Sequence, residues 1–199
     1  MLYCCTVDVV TRKLPQTKVI RYPDIRKKLL KLAADDQKLR QSREFYSTDL
    51  NIIKQITEQE DRRIEKVLEV LREIKTPSVK NVDLDGSRAI WLIALHNINH
   101  KDAGKIVLAK MRQLYYRNKN QVFYPGIPYL VDRVMIGSRN FDHQAKQLYG
   151  TQGWYVKNGD EQIDSGRFPI INPRGLSMRR KKFDLTYSRK TVLRCRHRI

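Results

Sequence analysis

The segment from Arg88 to Ile98 constrains the fold most, because it is apolar on almost every side of a helix. Its central part, 89–95, contains no charged residue, amide or hydroxyl side chain. A helix of this kind is stable only when other elements cover it on several sides. The sequence therefore predicts a central helix inside a compact helical body.

Two longer segments before it repeat apolar residues at spacings of three and four, which is typical of helices with one buried face. The first begins near Asp24, and the second follows Asp49, a residue suited to cap a helix, and ends before Pro77. The first apolar face contains Ile25, Leu29, Leu32, Asp36 and Leu39. The second contains Ile53, Ile56, Glu60, Ile64, Val67, Leu71 and Ile74. Asp36 and Glu60 thus occupy inward positions.

The rest of the chain predicts shorter elements. We expect a loop over 78–87, helices over Asp102–Arg117 and Tyr129–Ile136, and a β-hairpin near 153–165 on the Asn158-Gly159 turn. The predicted fold is mainly α, a compact helical bundle with a small late β-hairpin and basic, partly extended arms. The predicted domains are a basic N-terminal arm (1–23), a helical domain (24–173) and a basic C-terminal arm (174–199).

The excess positive charge lies at the two ends of the chain. The chain contains 40 Lys+Arg and 21 Asp+Glu. Residues 1–31 hold eight basic and two acidic residues, and residues 174–199 hold ten basic residues and one acidic residue. Residues 32–173 therefore carry only +4 of the net charge of +19. Such ends repel themselves unless a polyanion neutralises them, which favours RNA as the partner. The candidate phosphate contacts are Arg26, Lys27, Lys28, Lys31, Arg174, Arg179, Arg180, Lys181, Lys182, Arg189, Lys190, Arg194, Arg196 and Arg198.

Composition argues against several other classes of protein. The longest apolar run, 89–95, is far below the roughly 20 residues that span a bilayer. No secretory signal pattern opens the chain, and three cysteines without metal spacing are typical of reduced thiols. We therefore expect an intracellular protein of the cytoplasm or mitochondrial matrix, with no membrane partner, no metal and no cofactor.

Several polar residues stand on apolar helices and are candidates for a site. Arg40 lies one turn after Asp36, His96 ends the central helix, and Asp132 and Arg133 lie among apolar neighbours. If these groups converge, they form a polar pocket with acid–base and anion-binding members. The same residues are equally typical of ion pairs that hold helices together. The sequence contains no glycine-rich phosphate loop, serine-nucleophile motif or zinc-ligand set.

Four ordered motifs resemble a family of uncharacterised, mostly bacterial proteins. The runs 36–40, 91–96, 129–134 and 147–152 are similar to its D-Q-x-x-R, W-L-I-x-Q-H-A-D, Y-L-x-D-R-V and Q-x-Y-G-T-Q motifs, and 179–185 resembles a closing R-R-x-x-x-G-L-like element. The family is a domain of unknown function, so it implies no reaction. The resemblance implies that eight residues belong together in space: Asp36, Gln37, Arg40, His96, Asp132, Arg133, Tyr149 and Gln152.

This chain departs from the family motifs around His96. Leu95 stands where the family has Gln, Ile98 where it has Asp, and Gly104 where it has a further Gln. Each difference removes a hydrogen-bonding group from one helical region. The loss of these groups is what we expect if an enzyme-like domain has lost its active site and now serves in binding.

Three functions follow from these observations. The first is a non-catalytic RNA-binding structural protein, a component or associated factor of a ribosome or organellar ribosome, with neighbouring proteins as further partners. The second is an enzyme acting on a nucleotide or other anionic ligand, with Asp36, His96, Asp132 and Tyr149 as its catalytic candidates. The third is an adaptor for anionic membranes or acidic proteins, for which neither arm provides a clear amphipathic helix.

Overall fold

The structure, a computed structural model, describes residues 19–97, 100, 102–137, 145–158 and 161–185. The chain divides into two compact units, with the boundary between Tyr124 and Pro125. We call the described residues 19–124 the N-terminal unit and 125–185 the C-terminal unit. Six α-helices and one two-stranded sheet are found among the described residues, which confirms the predicted mainly α fold.

The N-terminal unit contains four helices: α1 (Pro23–Gln41), α2 (Leu50–Ile74), α3 (Val79–His96) and α4 (Ala103–Arg117). Asp49 caps α2 as predicted, because its Oδ1 accepts hydrogen bonds from the backbone amides of Asn51 and Ile52 at 2.7 and 3.3 Å. The buried residues of α2 (Ile64, Val67, Leu71 and Ile74) follow the predicted apolar face.

Helix α3 is the predicted central helix. Ile90, Ile93, Ala94 and Leu95 are completely buried, and Trp91 is nearly so. The Trp91 ring lies beside that of Phe123, with centroids 5.0 Å apart. Burial on several sides explains why this helix needs no polar face.

The predicted loop over 78–87 is wrong, because this segment forms the start of α3. The Ser78 side chain accepts a hydrogen bond from the Asn81 amide at 3.2 Å and caps a first short turn. Asp83 then breaks the helix, with φ 60° and ψ 176°, and its Oδ1 accepts from the Leu84 amide at 2.8 Å where the helix restarts. Gly86 lies inside the second piece, where a Cβ atom would approach Val82 Cβ to 2.8 Å.

The C-terminal unit contains α5 (Ile127–Ile136), β1 (Gly153–Asn158), β2 (Glu161–Arg167) and α6 (Leu176–Lys181). The two strands are antiparallel, pairing Gly153 with Arg167 and Asn158 with Glu161, and their register shifts between Val156 and Lys157. The paired strands of the hairpin predicted near 153–165 are therefore present and extend to residue 167, whereas residue 159 of the predicted Asn158-Gly159 turn lies outside the described residues.

Part of the predicted C-terminal arm is folded. Helix α6 lies entirely beyond residue 174, and Leu176 and Phe183 are both buried. The arm boundary at 174 therefore falls just before a packed element. Residues 1–18 and 186–199, where the rest of the predicted arms lies, are outside the described residues.

Candidate functional site

A buried carboxylate, Asp36, is the centre of a charged cluster in the N-terminal unit. Its side chain is completely buried, and Oδ2 lies 2.6 Å from Nδ1 of His96 at the end of α3. Nη1 of Arg63 on α2 donates a hydrogen bond to Oδ1 at 3.3 Å. Gln37 Nε2 donates to Oδ2 at 3.1 Å, and Arg40 Nε forms an ion pair with it at 3.4 Å. Three helices thus converge on one carboxylate.

The cluster continues through Arg40 to a second acid. Nη2 of Arg40 donates to Oε1 of Glu60 at 2.6 Å, and the Arg40 guanidinium lies over the Phe45 ring, 4.8 Å from its centroid. Both side chains are largely buried. We call this group the Asp36 cluster; its members are Asp36, Gln37, Arg40, Glu60, Arg63 and His96.

The pKa values of the two acids shift in opposite directions. Burial by itself raises the pKa of Asp36, but the His96 hydrogen bond and the charges of His96, Arg40 and Arg63 outweigh it, so this pKa lies below its ordinary value. Burial raises the pKa of Glu60, and the charge of Arg40 offsets only part of the effect. Because ionised Asp36 only accepts hydrogen bonds, Nδ1 of His96 carries the proton between them.

Most members of the Asp36 cluster were predicted from the sequence, but Arg63 was not. Asp36, Arg40, Glu60 and His96 were expected to face one interior, and the structure places them in contact. Arg63 lies on the buried face of α2, three residues after Glu60, with a side chain only 7% exposed. Its i+3 spacing from the inward acid Glu60 indicates that it lies on the buried face of α2, but its partner Asp36 is on another helix and does not follow from that spacing.

A second buried carboxylate, Asp132 of α5, organises a loop in the C-terminal unit. Its Oδ1 accepts hydrogen bonds from the amides of Leu148 and Tyr149 at 2.7 and 2.9 Å. Its Oδ2 accepts from the amide and the hydroxyl of Thr151 at 2.9 and 2.7 Å. Burial raises the pKa of Asp132, while these four hydrogen bonds act in the opposite direction. Both oxygens of the predicted base candidate are therefore engaged in holding residues 148–151.

Two glutamines close the same loop from the other side. Nε2 of the completely buried Gln147 donates to the carbonyls of Gln152 and Phe168 at 3.0 and 2.7 Å, and its Oε1 accepts from the Gln152 amide at 2.9 Å. Gln152 Nε2 donates to the Tyr129 carbonyl at 3.3 Å. Gly150 has φ +68°, a conformation that favours glycine. The Y-G-T-Q motif therefore specifies a loop fixed by backbone contacts.

Two arginines predicted to contact phosphates belong to this loop instead. Arg179 donates to the carbonyls of Leu148, Ile171 and Asn172 at 2.8–3.0 Å, and Nη1 of Arg180 donates to the Tyr149 carbonyl at 2.8 Å. We call the residues that meet here the Asp132 cluster; they are Asp132, Gln147, Leu148, Tyr149, Gly150, Thr151, Gln152, Arg179 and Arg180.

The other predicted phosphate contacts divide into three groups. Arg26 forms a two-point ion pair with Asp85, with Nε donating at 2.7 Å and Nη2 at 2.5 Å. The exposed residues are Lys27, Lys28, Lys31, Arg174, Lys181 and Lys182. Those outside the described residues are Arg189, Lys190, Arg194, Arg196 and Arg198.

The eight family-like residues are thus distributed over the two units. Asp36, Gln37, Arg40 and His96 meet in the N-terminal unit, and Asp132, Tyr149 and Gln152 meet in the C-terminal unit. Arg133 follows Asp132 on α5, and its buried Nε has no hydrogen bond within the described part of the chain. That all eight form one pocket stays a prediction.

The described residues contain neither a metal-binding group nor a membrane-spanning helix. No three His, Cys, Asp or Glu side chains among them are grouped so as to hold a metal ion. No helix among them is long and apolar enough to cross a bilayer.

Comparison with known proteins finds no family model, no curated protein and no solved structure that matches this chain. The family resemblance therefore stays a prediction that rests on the quoted motifs.

Proposed function

We propose that this chain is a non-catalytic RNA-binding structural protein, a component or associated factor of a ribosome or organellar ribosome. The observation that carries the proposal is the charge distribution: residues 1–31 and 174–199 together contribute +15 of the net +19. Clusters of Arg and Lys of this density bind nucleic acid through its phosphates, largely without regard to sequence. Arg adds bidentate phosphate contacts and stacking on exposed bases.

Exposed cations at the described ends of the chain support the proposal. Lys27, Lys28 and Lys31 are exposed on neighbouring turns of α1, and Lys181 and Lys182 are exposed at the end of α6. Arg26, Arg179 and Arg180 are engaged in internal contacts, so we assign them to folding and not to the RNA-binding surface.

The test removes the distal cations and leaves α6 in place. In the full-length protein, Arg189, Lys190, Arg194, Arg196 and Arg198 are replaced by Gln, and binding to a structured RNA is measured at several salt concentrations. Each phosphate contact contributes about 0.9 to the slope of log K against log salt for a duplex. We therefore expect the slope to fall by about 4.5 if all five residues contact phosphates of a duplex.

The matched control removes five exposed cations elsewhere, Lys54, Lys80, Lys105, Arg112 and Arg117, with the same change in net charge. If the two variants reduce the slope equally, binding depends on net charge alone and the proposal fails. Co-sedimentation of the native protein with ribosomal particles at low but not high salt tests the assembly.

A second candidate function, an enzyme acting on a nucleotide or other anionic ligand, is favoured by the His96–Asp36 contact of 2.6 Å. A carboxylate that orients a histidine is the arrangement that general acid–base catalysis uses. Asp132 is unsuited to the role of base, because four protein donors occupy its oxygens. If the protein is such an enzyme, we expect His96→Asn to abolish turnover of a nucleotide substrate while the protein stays folded. Turnover retained by this variant would exclude the catalytic role of His96.

A further inference from the structure

The N-terminal unit contains a basic groove in the part of the sequence that carries little net charge. The groove has a volume of about 460 Å³ and lies between α1 and α2. Its lining residues are Leu32, Asp35, Lys38, Leu39, Ser42, Gln59, Arg62, Arg63 and Lys66. Four of them are cations and one is a carboxylate. A volume of this order is that of a small-molecule site.

The three exposed cations of the groove are only weakly engaged by the protein. Lys38 and Lys66 form no ion pair within the described part of the chain. Arg62 pairs with Glu58 at 3.6 Å, and both side chains are at least half exposed. Such an exposed pair contributes little and leaves Arg62 able to turn toward a ligand.

Arg63 is the buried cation of the groove. Its side chain is 7% exposed, and its one hydrogen bond within the described residues runs from Nη1 to Asp36 at 3.3 Å. A guanidinium has five N–H donors, so four are left for a ligand. Because no Arg63 nitrogen is among the buried polar atoms of the described residues that lack a partner, its remaining donors are reached by solvent and are accessible to an anion in the groove.

We propose that this groove binds the phosphate group of a nucleotide, either free or within an RNA chain. The planar Arg63 donors suit two phosphate oxygens at once, and Lys38 and Lys66 add positive charge at the rim. Ser42 and Gln59 supply neutral hydrogen-bonding groups, and Leu32 and Leu39 an apolar surface for the sugar or base. The four cations of the groove lie outside residues 1–31 and 174–199, so the site goes beyond the function proposed above.

The test uses the full-length protein with the exposed lysines changed. Binding of inorganic phosphate, AMP and a ten-nucleotide RNA is measured by titration calorimetry for the wild type and for Lys38→Gln/Lys66→Gln. We expect the double variant to weaken binding of AMP, the RNA or both about tenfold. The control Lys54→Gln/Lys105→Gln, equal in charge and outside the groove, stays within about twofold.

The pattern of binding identifies the source of the phosphate. If Lys38→Gln/Lys66→Gln weakens the binding of AMP, the groove binds a free nucleotide. If it weakens only the binding of the RNA, the groove binds the phosphates of an RNA chain. The variant that replaces the five distal cations by Gln separates this site from the proposed function. If that variant loses RNA binding while Lys38→Gln/Lys66→Gln still weakens AMP binding to the same extent, the groove binds phosphate independently of the basic ends. If neither AMP nor RNA binding responds to the groove variant, the proposal is overturned.

Arg63→Lys provides a second variant, because it keeps a cation beside Asp36 while removing the planar donors. We expect a several-fold loss of phosphate affinity from it. Its fold is checked by the fluorescence of the buried Trp91 in a Trp154→Phe background. A folded Arg63→Lys variant with wild-type affinity would show that the guanidinium does not bind the phosphate.

Discussion

The two units each bury a carboxylate, and the two carboxylates are stabilised in different ways. Asp36 is surrounded by charged or ionisable side chains from α1, α2 and α3, whereas Asp132 receives three backbone amides and one hydroxyl from a single loop. Their pKa values shift accordingly, down for Asp36 and up for Asp132. Side-chain charges thus hold helices together in one unit, and a carboxylate shapes a loop in the other.

The largest expected effect comes from Asp36→Asn. The change leaves Arg63 and Arg40 largely buried without their common carboxylate, and breaking a buried ion pair typically costs about 3–5 kcal/mol. The free energy of unfolding is measured by urea titration of Trp91 fluorescence in a Trp154→Phe background. Asp35→Asn is the control, since Asp35 is exposed and next in sequence, and we expect it to change stability by less than about 0.5 kcal/mol.

Asp132→Asn comes next, with an expected cost of about 2–3 kcal/mol, because buried donors lose a charged acceptor. Thr151→Val removes one of the four hydrogen bonds and costs about 1 kcal/mol. Hydrogen exchange of the Leu148, Tyr149 and Thr151 amides measures the loop directly. Unchanged exchange in Asp132→Asn would show that the loop is held by other contacts.

Gly150→Ala tests the backbone of the same loop. The residue has φ +68°, and a Cβ atom would lie 3.0 Å from Cδ1 of Ile170, so we expect a cost of about 1–2 kcal/mol. The free energy of unfolding is measured by urea titration followed by circular dichroism. A neutral substitution would contradict the described loop conformation.

The pH dependence is the smallest effect and separates the two carboxylates by sign. Because the pKa of Asp36 is lower in the folded protein than in the unfolded chain, ionised Asp36 stabilises the folded state. This stabilisation is fully present above about pH 4, where the carboxyl of the unfolded chain titrates, and is lost as the pH falls through the folded pKa. The raised pKa of Asp132 acts oppositely, because the folded state binds the proton more strongly and stability falls as the pH rises above about 4. Asp36→Asn should flatten acid destabilisation, and Asp132→Asn should steepen it. Equal responses of the two variants would contradict the assignment.

Sequence periodicity predicted the helices with one buried face, because an amphipathic helix has the same pattern whatever it packs against. It therefore located Asp36 and Glu60 as inward acids. It failed at 78–87, a segment that contains Gly86 and was predicted to be a loop. In the structure that glycine permits a close approach to Val82. Close approach between elements depends on tertiary packing and leaves no periodic signal.

The arginines show the same limit. Composition assigned Arg26, Arg179 and Arg180 to an RNA surface, but each has partners distant in sequence, such as Asp85 or the carbonyls of 148–149. Arg63 was missed, since its partner Asp36 lies 27 residues earlier on another helix. A single sequence does not specify which distant acid or carbonyl a guanidinium will reach.

Local spacing and capping chemistry were enough to predict the mainly α fold, the central buried helix, the capped start of α2 and the two strands of the hairpin. Which cations are engaged internally, and which line the groove between α1 and α2, became known from the packing of the helices and loops. Charge pairing depends on distances between elements, whereas helix formation depends mainly on neighbours along the chain.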